Sequence, residues 1–147
     1  MNKKQNSSVN YLDFTVPSPG EISEITPDIF WIRMPLPFEL DHINLWLLRD
    51  FRDGKIWWTL IDTGLLNHLS KSYWKSIKEN YFDDFPLLRI VCTHMHPDHV
   101  GMANWLSKGL DDHFWDIEIW MSHGEFFTGK SYFIEGRSID TSIIEKR

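Results

Sequence analysis

Short apolar segments separated by turn residues run through the first half of the chain. Three of them, at 29–34, 43–48 and 55–61, have the length and the aromatic and β-branched content that are typical of strands. The pair Asp53-Gly54 separates the second segment from the third. Since Asp-Gly favours a tight hairpin turn, the pattern predicts that these two segments form a hairpin.

The second half of the chain alternates helices with strands. In 67–80, Leu69, Tyr73 and Ile77 recur four residues apart, which is the spacing of one helix face. The apolar run 87–92 predicts a strand that is buried on both faces. The other predicted elements are a helix from about residue 98 to before Gly109 and a strand at 117–121. This order indicates an α/β protein, with a mixed sheet and helices on its outer face.

Length and composition are those of one globular domain. The chain has 147 residues, of which 42% are hydrophobic and 15% aromatic. Polar ends predict a flexible N-terminal tail at 1–20 and a polar C-terminal tail at 131–147, around one domain at 21–130. The net charge of -6 argues against a nucleic acid partner. No apolar run follows the first lysines, so we expect no secretory signal, no membrane span and a cytoplasmic location.

The densest chemistry lies directly after the predicted buried strand. Residues 94–99 read His-Met-His-Pro-Asp-His, which places three imidazoles and a carboxylate close together. Side chains two apart in an extended segment point the same way, so His94 and His96 can bind one ion. Asp98 and His99 lie one step further on, where they can face a second ion. Because imidazole and carboxylate suit zinc, one or two zinc ions are expected, with manganese or iron as alternatives.

The loop 93–101, Thr-His-Met-His-Pro-Asp-His-Val-Gly, resembles the signature loop of the metallo-β-lactamase superfamily. Two other segments resemble family features in the expected order: the early strand at 42–48, which carries an Asn, and the Asp-Thr-Gly turn at 62–64. The resemblance covers roughly residues 21–130. It implies a partial αββα sandwich, of which this chain is the amino-terminal half.

The resemblance also implies roles for individual residues. His94, His96, Asp98 and His99 are the implied metal ligands, and Asp98 also takes a proton from, or orients, the attacking water. Asp62 is expected beneath the loop, where its carboxylate would accept a hydrogen bond from a ligating imidazole. The alternative for Asp62 is a strand-ending turn in which it caps its own backbone.

Other possible ligands are few. The family usually carries another His, a bridging Asp and a last His in its second half, whereas this chain has only His113 and His123 after His99. For His123 a surface or capping role is favoured over ligation, and His113 is expected to be solvated. The single cysteine, Cys92, excludes an intramolecular disulfide and is favoured as a small core side chain over a thiolate ligand.

Two functions of different classes are consistent with these residues. The first is a metal-dependent hydrolase that cleaves a small-molecule ester, thioester or amide with a metal-bound hydroxide. The second is a truncated, catalytically silent module that binds metal or a partner, since the second half of the metal site is not evident. An apolar sheet face without its cover would then favour self-association. A nuclease is disfavoured, because the chain has no basic stripe.

Overall fold

The predicted strand segments pair into one mixed sheet. The computed structural model describes residues 14–82, 86–108 and 117–134, and the six strands within them follow the order of the sequence. The strands are β1 (Ile22–Thr26), β2 (Ile29–Pro35), β3 (His42–Arg52), β4 (Lys55–Ile61), β5 (Leu87–Val91) and β6 (Glu118–Trp120). The first four pair antiparallel, and β4, β5 and β6 run parallel. The α/β class with a mixed sheet is thereby confirmed.

Helices follow the parallel strands. They are α1 (His68–Ile77), α2 (Pro97–Val100), α3 (Ala103–Ser107) and α4 (His123–Ile134), with a π-helical turn at Lys78–Phe82 after α1. Asn67 caps α1, because its Oδ1 accepts a hydrogen bond from Ser70 N at 2.8 Å. The single helix predicted after residue 98 is divided into α2 and α3, and its predicted stop at Gly109 lies outside the described residues. Within the described segments, no helix combines the length and apolarity needed to cross a membrane.

The buried face of α1 differs from the predicted face. Ser70, Trp74 and Ile77 are buried, whereas Leu69 is 49% exposed. Trp74 decides the orientation, because its ring is wholly buried and its Nε1 donates to Thr63 O at 2.9 Å. A large indole gains most when it is buried and its N–H also finds an acceptor, so α1 turns Trp74 and not Leu69 towards the core.

Two elements are missing from the sequence prediction. β1 is a short edge strand whose residues are all at least partly exposed, so it has no strong apolar pattern. α4 contains Gly124 and Gly129, which lower helix propensity, and the neighbouring pair Phe126 and Phe127 does not repeat at helical spacing. α4 also runs across the expected boundary at residue 130, while 1–13 and 135–147 of the two predicted tails lie outside the described residues.

The two faces of the sheet differ in their cover. Leu45, Leu47 and Leu60 are fully buried on the face that packs with the helices into the core. On the opposite face, paired residues of β2 to β6 form one apolar row across the sheet, consisting of Trp31, Trp46, Ile61, Val91 and Trp120. Within this far-face row Trp46 is 37% exposed and Trp120 is 44% exposed. Three members of this far-face row, Ile61, Val91 and Trp120, are the last residues of β4, β5 and β6 and lie directly beside the histidine-rich loop.

Candidate metal centre

The histidine-rich loop leaves the sheet at the carboxyl end of β5. Cys92 N still donates to Trp120 O of β6 at 2.8 Å, which continues the strand pairing by one residue. Thr93 is then held by Asp62, which follows β4: Asp62 Oδ1 accepts from Thr93 N and Oδ2 from Thr93 Oγ1, both at 2.7 Å. Neighbouring parallel strands therefore fix the start of the loop from its first residue.

Asp62 also sets the orientation of His99. Asp62 is 5% exposed, and its Oδ2 lies 2.7 Å from His99 Nδ1. Since an ionised carboxylate only accepts hydrogen bonds, Nδ1 carries a proton, and in the neutral imidazole Nε2 then keeps its lone pair. A carboxylate that orients an imidazole in this way is a recurrent support of metal-binding histidines.

The same carboxylate acts on His94 through Thr93. The Thr93 hydroxyl donates its one proton to Asp62, so its oxygen can only accept from His94 Nδ1, which lies 3.0 Å away. His94 Nε2 is therefore left with its lone pair. Asp62 thus presets one imidazole directly and another through a hydroxyl, and both of its oxygens bond to the loop. This holds the backbone of Asp62 at a φ of 60, a positive value that non-glycine residues rarely adopt.

The four predicted ligands form two pairs of donor atoms. His94 Nε2 lies 3.1 Å from His96 Nδ1, and His99 Nε2 lies 3.5 Å from Asp98 Oδ2. Two ligands at the usual zinc distances in a tetrahedral site are about 3.4 Å apart, which is close to both spacings. The first distance also suits an N–H···N hydrogen bond, so metal uptake there would exchange that proton for the ion.

The donor set suits a divalent metal in its chemistry, and each pair would supply two ligands to one ion. Over the described ranges, no three side chains of His, Cys, Asp or Glu are grouped closely enough to hold a single ion. His96 is exposed, and Asp98 and His99 are partly exposed, so water can reach both pairs. Each ion would complete its shell with water or with groups outside the described residues.

A second set of bonds fixes the end of the loop. Thr63 N and Thr63 Oγ1 both donate to His99 O at 2.8 Å, and Thr63 Oγ1 accepts from Met102 N at 3.0 Å. A Cβ built on Gly101 would clash with Pro97 O and would lie 2.9 Å from Leu66 N and 3.0 Å from Gly64 O, so glycine is needed where the loop meets the turn at 62–64. The Asp-Thr-Gly turn therefore clasps both ends of the loop. Sequence reasoning proposed Asp62 but gave Thr63 and Thr93 no role.

A further contact comes from α4, which sequence reasoning missed. Glu125 Oε2 accepts from Met95 N at 3.0 Å, so a helix thirty residues further on bonds the loop between two predicted ligands. The available signal was the Ser122-x-x-Glu125 spacing, which is the pattern of a helix N-terminus. His123, the candidate in this segment, is exposed at the first residue of α4.

Two further candidate residues remain, Cys92 and His113. Burial, assisted by the negative charge of Asp62, raises the pKa of the Cys92 thiol to about 12. Cys92 therefore stays protonated and packs in the core, which confirms its favoured role. His113 is among the residues that the structure does not describe.

Comparisons with known proteins agree with this fold. The model of the metallo-beta-lactamase superfamily matches residues 39–137. The crystal structure of a beta-lactamase domain protein from Burkholderia ambifaria is similar over 80% of this chain and 34% of its own, with 46% identity and a TM-score of 0.76. A metallo-beta-lactamase from Pontibacter korlensis, 18% identical with a TM-score of 0.53 over 76% of this chain and 47% of its own, shares the fold. A search of curated proteins finds no match.

These matches cover only part of each similar protein. The chain spans about a third of the Burkholderia ambifaria protein and about half of the Pontibacter korlensis protein. The family match, in contrast, covers most of the chain, including the loop 93–101 and the turn 62–64. The chain belongs to the metallo-beta-lactamase superfamily.

Proposed function

We propose that the chain carries the metal-binding half of a hydrolase that cleaves a small-molecule ester, thioester or amide. The observation that carries this proposal is the set of two donor pairs, His94 with His96 and Asp98 with His99, each at a spacing that suits one divalent ion. Zinc is the first choice, with manganese and iron as alternatives. When bound, such an ion supplies Lewis acidity and acidifies a water ligand towards neutral pH.

The residues divide the work of this reaction. His94 binds through Nε2, because Thr93, whose hydroxyl is held by Asp62, occupies its Nδ1. His96 faces the same ion through Nδ1, 3.1 Å from His94 Nε2. His99 binds through Nε2, since its Nδ1 donates to Asp62. Binding sites that are organised before the ligand arrives lose less free energy to ordering on binding.

Asp98 is proposed as the residue that holds the proton. Its side chain is 28% exposed, and Oδ2 faces His99 Nε2 at 3.5 Å. A carboxylate beside the ion and open to solvent can both ligate and accept the proton of the attacking water. Neither task suits the buried Asp62, whose two oxygens are already engaged.

The substrate is proposed to be a small molecule. The net charge of -6 disfavours a polyanion such as RNA, although bound metal provides local positive charge. The proteins similar to this chain carry the name beta-lactamase, so the amide of a β-lactam is the first compound to test. Generic thioesters and lactones complete the panel.

A second candidate is a catalytically silent module that binds metal or a partner. One observation favours it: among the residues that the structure describes, the donors supply only two ligands to each ion. An ion with an incomplete protein shell is held weakly and is poorly positioned against a substrate. Failure of the chain to turn over any substrate of the panel with zinc or manganese supplied would give this module the lead.

The test compares Asp98→Asn with His123→Ala in the same hydrolysis assay. Asp98→Asn removes the proton acceptor, so turnover is expected to fall by about 100- to 10,000-fold. His123 is exposed outside the loop, and His123→Ala is expected to retain turnover within about threefold. Loss of turnover in His123→Ala with retention in Asp98→Asn would overturn the assignment of roles.

A further inference from the structure

Glu125 is placed where a helix N-terminus meets the metal loop. Ser122 caps α4, since Ser122 Oγ accepts from Glu125 N at 3.3 Å and Ser122 O accepts from Phe126 N at 3.0 Å. In a capping box the Glu at this position bonds the backbone N–H of the cap residue. Here Glu125 Oε2 instead bonds the backbone N–H of Met95, in a different segment of the chain. The carboxylate remains favourably placed at the positive end of the helix dipole.

The amide N–H that donates to Glu125 belongs to Met95, which lies between the first two predicted ligands. Met95 separates His94 from His96, and the orientation of its peptide group determines whether the two imidazoles point to the same side. Their nitrogens do converge, at 3.1 Å. A charged acceptor makes a stronger and shorter hydrogen bond with an N–H than water does, so Glu125 restrains this peptide against rotation.

Two acidic side chains then support the loop in different ways. Asp62 bonds His99 and Thr93, at the two ends of the loop. Over the residues that the structure describes, Glu125 is the acidic side chain that bonds the backbone in the middle of the loop. Asp62 fixes the protonation of ring nitrogens, whereas Glu125 touches no ring in these contacts and acts on the backbone alone.

We propose that Glu125 is a positioning residue that holds the His94 and His96 pair in its binding geometry before any ion arrives. The proposal rests on the proposed function for its use, because a preset pair matters only if the loop binds metal. It adds α4 to the site, so the segment after β6 contributes a support and not a ligand.

Three variants test this in the intact chain: Glu125→Ala, Glu125→Gln and, as a matched control, Glu79→Ala. Glu79 is exposed on the π-helical turn, so its removal deletes the same charge without touching the loop. Glu125→Gln keeps an oxygen acceptor for Met95 N and removes only the charge. Unfolding curves of all three establish that each variant is folded.

The first readout is hydrogen exchange of the Met95 amide, measured by NMR on metal-free protein. We expect at least about tenfold faster exchange in Glu125→Ala than in Glu79→Ala, with Glu125→Gln close to the parent. The second readout is the zinc dissociation constant, which is expected to rise by about 10- to 100-fold in Glu125→Ala and to be largely rescued in Glu125→Gln.

Unchanged exchange of the Met95 amide in Glu125→Ala would overturn the proposal. Equal loss of zinc affinity in Glu125→Ala and Glu125→Gln would also overturn it, because the charge and not the positioning bond would then matter. The exchange readout needs no metal, so it decides the role of Glu125 even if the parent takes up no ion. Absence of metal uptake by the parent would instead overturn the proposed function.

Discussion

The loop 93–101 and the far-face row meet at the carboxyl end of β5, but the polar groups of the loop are bonded more completely than the apolar surface of the row is covered. The loop 93–101 has polar partners for its backbone and rings from three separate elements: the turn at 62–64, α4 and its own residues. In the far-face row, Ile61 and Val91 directly precede Asp62 and Cys92. Two of the three tryptophans of this row are more than a third exposed.

This difference indicates which properties belong to the chain itself. The geometry of the donor pairs is fixed by bonds within the described residues, so it should persist in the isolated chain. In the far-face row, Trp31 Nε1 donates to Asn44 Oδ1 at 2.8 Å and Trp120 Nε1 donates to Glu118 Oε2 at 2.9 Å, but Trp46 and Trp120 remain 37% and 44% exposed. Uncovered aromatic surface of this kind is typical of interfaces. We therefore propose that this face mediates self-association.

The largest structural effect is expected from Asp62→Ala. The variant leaves Thr93 N–H and His99 Nδ1–H without their buried acceptor, and each such loss costs about 1–3 kcal/mol. The free energy of unfolding should therefore fall by about 2–4 kcal/mol in urea titrations. The matched control is Asp41→Ala, at an exposed side chain, which should change it by less than about 0.5 kcal/mol. Equal effects of the two variants would contradict a loop built on Asp62.

A smaller effect is expected from Gly101→Ala. The new methyl group would press on backbone atoms of Pro97, Leu66 and Gly64, which cannot rotate away as a side chain can. Overpacking of this kind costs about 1–3 kcal/mol. At Gly124, in contrast, a methyl group would meet only Ser122 Oγ at 4.0 Å, so Gly124→Ala should be neutral or slightly stabilising. Thermal unfolding of both variants checks this, and an unperturbed Gly101→Ala would contradict the close approach of the two turns.

The smallest effect on folding, but a clear one on association, is expected at the far-face row. The parent should self-associate at high concentration in sedimentation and light-scattering measurements, and Trp46→Ser with Trp120→Ser should shift it towards monomer. Phe127→Ser serves as the control, because Phe127 is 63% exposed on α4 and is not a member of the row. A parent that stays monomeric at high concentration would contradict self-association through this face.

The sequence predicts most where local chemistry and tertiary structure agree. The Asp53-Gly54 turn is an example, since both residues adopt positive φ, at 53 and 74, as the hairpin requires. β4 has the predicted bounds, because strand residues and turn residues meet sharply at Lys55 and at Ile61. The clustering of donor residues at 94–99 predicts the two donor pairs for the same reason, since neighbours in a short loop remain neighbours in space.

The sequence predicts less where long-range packing decides. The α1 face depends on an acceptor at Thr63 O for the Trp74 indole, which no periodicity reports. The support of the loop by Glu125 joins residues of two segments that only the parallel pairing of β5 and β6 brings together. Thr93 is likewise recognisable as a relay only once Asp62 and His94 are both beside it.

Metal content tests the central claim most directly. The parent chain, purified without chelator and analysed for zinc, manganese and iron, should carry a divalent ion, which His94→Ala with His96→Ala should lose. A control variant, His68→Ala with His123→Ala, also removes two imidazoles, both exposed and outside the loop, and should keep the metal. Loss confined to the His94 and His96 variant is the predicted result. The same metal content in all three proteins would contradict a metal centre in this loop.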